Sequence, residues 1–294
     1  MRVLLFGSGG QLGSAWRALF PEHWDTVSLD YPDVDLADPD SIKSVISNTR
    51  PQLIINAAAY TAVDRAEQEP ELAERINTRA PGVIGSCAEG IHAAVLHYST
   101  DYVFNGRKGH PYAETDTPDP LNVYGRTKLE GENRLAETSE AAITLRTSWV
   151  YTPGGSSFPD KVLQWAHRQE ILQIVEDQIS GPTSAWDLAR SSLRILEQAE
   201  GGPYEFFHTH KGIYHLAGEP VVSRYEWAQA VLALDPDKEN RLCKEVRPVL
   251  TGVFPAPAER PLFTGLDCPL VRETFGLPVL DWEQGLNEAF ARIV

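Results

Sequence analysis

The sequence predicts an α/β fold: a doubly wound parallel sheet followed by a smaller, mixed α/β C-terminal substrate domain. Three observations predict it. Short apolar runs alternate with helical patterns through the first 150 residues, the rhythm of βαβ units around a parallel sheet. A glycine turn, Gly7-x-x-Gly10-x-x-Gly13, falls between the first run and the first helix. The next run ends in an acid, Asp30. Right-handed βαβ crossovers leave few topologies for such a chain.

The elements follow in order. Residues 2–6 ("RVLLF") form a short apolar run stopped by Gly7, the mark of a buried parallel strand. A helical stretch follows the glycines, and residues 26–30 ("TVSLD") make a second strand. Residues 38–50 read as a helix, with Asp38 capping it ahead of Pro39. Residues 52–59 ("QLIINAAA") are a third buried strand, and 64–90 are helical with breaks near Pro70 and Pro81. Residues 93–100 are a fourth strand and 141–151 a fifth, entered from a helix that begins near Tyr124. After Tyr151 the rhythm loosens. Helices are expected over "FPDKVLQWAHRQ", "TSAWDLARSSLRILEQA", "SRYEWAQAVLAL" and "DWEQGLNEAFARI", with strands at "ILQIVEDQ" and "GIYHLAG". Residues 201–212 read as a loop, and the proline-rich stretch 247–263 as a wrapping loop. The expected division is a dinucleotide-binding domain over residues 1–150 and a mainly substrate-binding lobe over 151–294 that shares some elements with the first.

Composition narrows the class. The chain has 294 residues, enough for a sizeable core, and a formal net charge of −15. That charge disfavours nucleic acid and anionic membranes as partners. No apolar run is long enough to span a membrane, and the N-terminal run is too short for a signal peptide. Three widely spaced cysteines, Cys87, Cys243 and Cys268, suit neither a metal site nor a disulfide framework and predict a reduced, cytoplasmic compartment. No metal ligand set is expected. His208 and His210 read as solvated loop residues, and His97 as a core histidine within a strand.

The glycine turn carries the first chemical signal. Glycine permits a tight turn and close approach of backbone to a pyrophosphate, and the following helix directs its free N–H groups there. Asp30 at the end of the second strand can bond the adenosine ribose hydroxyls and would repel a 2′-phosphate, which favours NADH. Ser99, Thr100 and Asp101 end the fourth strand, where open parallel sheets gather ligands, although turns use the same residue types. Tyr124 and Lys128 stand one helical turn apart and share a face. A nearby ammonium lowers a phenol's pKa from about 10, which would let Tyr124 donate a proton to a forming alkoxide. A hydroxyl, a proton donor and a tuning cation beside a dinucleotide loop suit hydride transfer to a ketone.

The glycine loop with Tyr-x-x-x-Lys resembles the extended short-chain dehydrogenase/reductase superfamily. Six blocks narrow this: "GSGGQLG", "INAAAYTAVDRAE", "HYSTDYVFNG", "PLNVYGRTKLEGE", "LRTSWVY" and "DQISGPTSAWDLA". Together they resemble the dTDP-4-dehydrorhamnose reductase family over residues 1 to about 190. The resemblance implies a Rossmann-type sheet, NADPH or NADH as cofactor, and a nucleotide-sugar substrate reduced at a C4 ketone by a monomer or homodimer. It implies that Gly10, Gln11 and Leu12 line the pyrophosphate, that Asp30 lies near the adenosine ribose, and that Asp35 and Leu36 flank the adenine. Ala59, Tyr60 and Thr61 would border the cofactor. Thr100 and Asp101 would meet the sugar, Tyr124 would donate the proton with Lys128 as partner, and Trp149 would pack against the sugar ring. Arg260, in the proline-framed "PAERP", is a candidate cation for the substrate's diphosphate. Two alternatives remain open: reduction of another nucleotide-linked 4-keto-6-deoxyhexose, and a non-catalytic dinucleotide-binding regulatory subunit resembling the methionine adenosyltransferase beta subunit.

Overall fold

A computed structural model describes residues 1–292. Ile293, which the sequence reading includes in the last helix, lies outside the described residues. Strand β1 (Arg2–Phe6) leads into α1 (Gln11–Leu19), and β2 (Asp25–Leu29) into α2 (Pro39–Thr49). β3 (Leu53–Asn56) is followed by α3 (Val63–Ala66), α4 (Pro70–Glu74), a π-helical turn at Arg75–Arg79 and α5 (Ala80–Gly90). β4 (Ala94–Thr100), α6 (Val123–Thr138) and β5 (Ala142–Thr147) complete this half. Beyond it come β6 (Val150–Tyr151), α7 (Phe158–Ala166), β7 (Ile171–Val175), β8 (Ile179–Ser180), β9 (Thr183–Ser184), α8 (Ala185–Leu196), α9 (Pro203–Thr209) and β10 (Gly212–His215). The last elements are β11 (Gly218–Glu219), β12 (Val222–Ser223), α10 (Arg224–Ala233), β13 (Glu245–Val249), α11 (Pro269–Phe275), β14 (Leu280–Asp281) and α12 (Trp282–Ala291).

One six-stranded sheet runs β2-β1-β3-β4-β5-β10, parallel throughout. Alternate residues of β1 supply both of its faces: Val3 and Leu5 join one core, Leu4 and Phe6 the other. Burial on both faces explains why these strands read as unbroken apolar runs. The chain moves outward from β1 to β2, then returns past β1 to β3. The crevice beyond the carboxyl ends of β1 and β3 is therefore the topological switch point, where ligands bind in such sheets. The C-terminal half supplies β10, and Leu188, Phe207, Tyr214 and Phe275 from it close one face. A separate core around Leu172, Trp227, Trp282 and Leu286 holds the substrate-side lobe.

The structure departs from the sequence reading in four places. The single strand expected over 141–151 is interrupted at Trp149, whose φ of 42° turns the chain out of the sheet between β5 and β6. Residues 203–209 are helical, because Pro203 supplies a pre-set first-turn φ behind Gly202. His208 and His210 therefore sit in and just after a helix, bonded to the carbonyls of Glu140 and Phe206. The wrapping loop begins with a true strand, β13, paired to β7 through Pro248. Finally, the chain breaks before Pro70 as expected but passes Pro81 as a continuous helix.

Pro81 is accommodated by the π turn. A proline frees the carbonyl four residues back, here that of Asn77. That carbonyl faces α6 at Gly131, where an added Cβ would lie 2.0 Å from Asn77 O and 3.4 Å from the Pro81 ring. Gly131 is thus a point of close backbone approach between the two helices. Gly131→Ala is expected to destabilise the protein by about 1–3 kcal/mol through overpacking. It should also reduce turnover by displacing the helix that carries Tyr124 and Lys128. An unchanged urea midpoint in this variant would contradict the close contact.

Candidate active site

The site is assembled at the carboxyl ends of the strands. Gly7 turns the chain at a φ of +80°, and a Cβ there would strike the Ala58 backbone at 2.7 Å. Gly13 packs α1 onto the same turn, since a Cβ would lie 2.0 Å from Gly7 O. Gly10 is different: its Cβ would meet only Gly7 O, at 3.4 Å, so its open side faces the cleft. It is also the cap of α1 and makes no side-chain cap bond to the first helical N–H groups. A bare helix N-terminus behind an open glycine fits a pyrophosphate. Thr147 Oγ1, buried and without a hydrogen-bond partner, adds a free polar atom to the same cleft.

The cleft, about 430 Å³, is lined by Gly7, Gly10, Gln11, Leu12, Asp30, Ala59, Thr61, Thr100, Asp101, Tyr124, Lys128 and Trp149. Asp35 and Leu36 line an adjoining cavity of about 360 Å³ that shares Gly7, Asp30 and Ala59 with the cleft. The structure thus brings most of the sequence-predicted residues together. Three stand apart. Gly13 serves packing. Tyr60 turns its hydroxyl to Glu69 and keeps its backbone near the cleft. Arg260 lines neither cavity: it holds Asp64 at 2.9 Å and the Ala258 carbonyl at 3.0 Å.

Tyr124 and Lys128 extend from the first two turns of α6, which Asn122 caps by accepting from Gly125 N–H at 2.8 Å. Tyr124 and Thr100 line the same cleft, and the Thr100 hydroxyl donates to Asp101 at 3.2 Å. Tyr102 meets the Tyr124 ring edge-on at 5.9 Å. Lys128 is 2% exposed and donates to the Tyr98 carbonyl at 2.6 Å, with His97 Nε2 at 3.4 Å. This differs from the expectation that the ammonium lowers the phenol's pKa. In the structure burial dominates and pushes the Tyr124 phenol above its ordinary value. The Lys128 ammonium is committed to the β4 backbone, and burial pushes it down to about 8. Tyr124 therefore stands protonated across neutral pH.

His97 is buried in β4, as the sequence implies, between Asn56 at 3.0 Å and Lys128. Asp101 accepts from Thr100 at 3.2 Å, Ser180 at 3.2 Å and Thr264 at 2.5 Å, tying the strand end to the C-terminal half. Burial raises its carboxyl to about 6. An acid held above its unfolded value binds its proton more tightly in the native state, so its stabilising share is complete below the unfolded value and lost as pH rises through about 6. Wild-type protein is therefore expected to lose stability relative to Asp101→Asn as pH rises from about 4 to about 6, measurable as a diverging denaturation midpoint. A constant difference across that range would refute the buried, ionising carboxyl.

Two contributors escaped the sequence reading. Arg224 opens α10 and lies over the Trp149 ring at 3.7 Å, with Trp149 stacked on Trp227 at 5.5 Å. The signal was a capping box, Ser223 with Glu226, that places an arginine at the first helical position beside Trp227. Asn77 clamps the loop after β3, accepting from Tyr60 N–H at 2.8 Å and donating to Tyr60 O at 3.1 Å and Thr127 Oγ1 at 3.2 Å. Nothing in its local sequence marks that role. Among the described residues no cluster suits a metal ion, and no helix is long and apolar enough to cross a membrane.

Comparison with known proteins agrees with this geometry. The family model described as the RmlD substrate binding domain matches residues 1–294. The chain is 38% identical to the dTDP-4-dehydrorhamnose reductase of Aggregatibacter actinomycetemcomitans over 97% of both chains. It is 38% identical to that of Escherichia coli K12 over 99% of this chain and 98% of the other. A crystal structure of a Clostridium acetobutylicum dTDP-4-dehydrorhamnose reductase superposes with a TM-score of 0.90 at 30% identity, covering 100% of this chain and 99% of that one. The Bacillus anthracis enzyme, solved in complex with NADP, superposes with a TM-score of 0.88 at 30% identity, covering 99% of each chain. With Thr100, Tyr124 and Lys128 lining one cleft with the glycine turn and these matches running the length of the chain, the protein belongs to the dTDP-4-dehydrorhamnose reductase (RmlD) family of extended short-chain dehydrogenase/reductases.

Proposed function

We propose that the protein reduces the C4 ketone of dTDP-4-dehydro-β-L-rhamnose to dTDP-β-L-rhamnose with NADPH or NADH, a step of dTDP-rhamnose biosynthesis. The observation that carries this reading is the meeting of Thr100, Tyr124 and Lys128 with the glycine turn and Trp149 in one cleft. When bound, the nicotinamide supplies the hydride that adds to C4. Thr100 orients the C4 oxygen by hydrogen bonding. Tyr124 holds the proton on its phenolic oxygen and delivers it to that oxygen, so the ketone becomes an alcohol and a phenolate remains. Lys128, on the same helix face and held to the Tyr98 carbonyl, anchors the nicotinamide ribose. Trp149 offers an aromatic face to the sugar, braced behind by Trp227.

The nucleotide has a natural place nearby. Arg224 also lines a cavity of about 590 Å³ walled by Phe158, Trp165, Ile174 and Phe254, within the usual range for small-molecule sites. We place the base and deoxyribose there, with Arg224 and Arg247 toward the diphosphate. The enzyme is read as cytoplasmic, a monomer or homodimer, without a nucleic-acid partner.

The test is loss of NADPH or NADH absorbance with dTDP-4-dehydro-β-L-rhamnose, run beside a UDP-linked 4-keto-6-deoxyhexose. Selective turnover of the dTDP sugar supports the proposal. Preference for the other sugar, or none with either, overturns it.

A further inference from the structure

The cavity adjoining the cleft beyond Asp30 holds a cation that the chemistry above does not use. Arg75, from the π-helical turn, lines it together with Asp30, Tyr31, Asp35 and Leu36. Its Nε donates to the Ala37 carbonyl at 2.9 Å, which fixes the guanidinium against the loop after β2. No carboxylate pairs with Arg75 among the described residues, whereas neighbouring Arg65 and Arg79 are paired with Glu69 and Glu74. The acids at this cavity are turned to other work. Asp30 accepts from Gly9 N–H at 2.8 Å through one oxygen and from Tyr31 N–H at 2.9 Å through the other. Asp35 accepts from Ala37 N–H at 2.8 Å. Asp30 thus braces the glycine turn with one oxygen and the start of the next loop with the other, and among the described residues lining this cavity the free cationic donors are those of Arg75.

We propose that Arg75 reads the 2′-phosphate of the adenosine ribose and biases this protein toward NADPH, against the NADH preference that Asp30 alone would suggest. The inference rests on the reading that the cleft holds a nicotinamide dinucleotide. A guanidinium anchored through Nε keeps two Nη groups for a phosphate, and a charge-assisted contact of that kind discriminates strongly between the two cofactors. Arg75 is exposed, so salt screens part of the effect.

Direct binding tests this without turnover. Titrations of the unmodified protein and of Arg75→Ala with NADPH and NADH, followed by nicotinamide fluorescence, would be paired with 2′,5′-ADP and 5′-ADP as competitors. Unmodified protein is expected to bind NADPH the more tightly. In Arg75→Ala, NADPH affinity is expected to fall about tenfold while NADH changes by less than about twofold, and Arg75→Lys should recover part of the loss. Equal weakening of both cofactors would mean that Arg75 contacts the adenine rather than the phosphate and would overturn the proposal, as would no change in either. Failure of unmodified protein to bind any of the four probes would overturn the dinucleotide reading as well. A matching circular dichroism spectrum and melting temperature would show that the variant is folded.

Discussion

Tyr124→Phe is expected to lower turnover by about 10²–10⁴-fold, the usual contribution of a positioned proton donor, while leaving cofactor binding and thermal stability near normal. The ring is what packs: it meets Tyr102 edge-on at 5.9 Å and joins a small cluster with Val123 and Ala66. Phenylalanine keeps those contacts. What it lacks is the hydroxyl that would carry the proton. Stopped-flow or steady-state assays should therefore show a fall in kcat with little change in KM. Because burial holds the phenol above its ordinary value, the unmodified enzyme enters each cycle with the proton already in place. Near-normal turnover in the phenylalanine variant would remove Tyr124 from the chemistry.

Arg146→Leu is expected to cost about 3–5 kcal/mol of stability, because it strands a buried carboxylate. Arg146 on β5 and Glu132 on α6 form a two-pronged pair, Nε to Oε1 at 3.0 Å and Nη2 to Oε2 at 2.7 Å, with side chains 3% and 0% exposed. Ser99 also donates to Glu132, so two side chains hold the carboxylate directly behind the end of β4. Removing the guanidinium leaves that charge without its partner in a low-dielectric core. The double variant Arg146→Leu, Glu132→Leu should recover most of the loss, since it buries no charge. Chemical denaturation of the single and double variants decides the matter: equal midpoints for Arg146→Leu and unmodified protein would show that the pair contributes nothing.

The local devices were legible from residue order alone. Glycines at 7, 10 and 13 announced a backbone that must approach something closely, and the structure gives each a distinct steric reason. Asp38 before Pro39 announced a helix start, and it caps as expected. Unbroken apolar runs announced strands buried on both faces. Tyr124 and Lys128 were visible as a pair because helical periodicity fixes which residues share a face.

Other features depended on contacts between distant segments. Asn77 reaches Tyr60 and Thr127, separated from it by 17 and 50 residues, and no local pattern records that meeting. Arg260 looked free on a proline loop but is held by Asp64, 196 residues away. Lys128 shares a helix face with Tyr124, yet its ammonium is taken by a carbonyl of β4, so burial sets the phenol's pKa. Asp30 lines the cleft, and its two oxygens also brace the N–H groups of Gly9 and Tyr31, one of them 21 residues away in the chain. By itself, then, the sequence determined the sheet class, the glycine turn and the shared helix face of Tyr124 and Lys128, because these follow from periodicity and local backbone sterics. Only the tertiary structure decided which polar atoms are already spent on the protein itself and which, like those of Arg75, face the site, because hydrogen-bond partners and desolvation are set by segments that meet only in the folded chain.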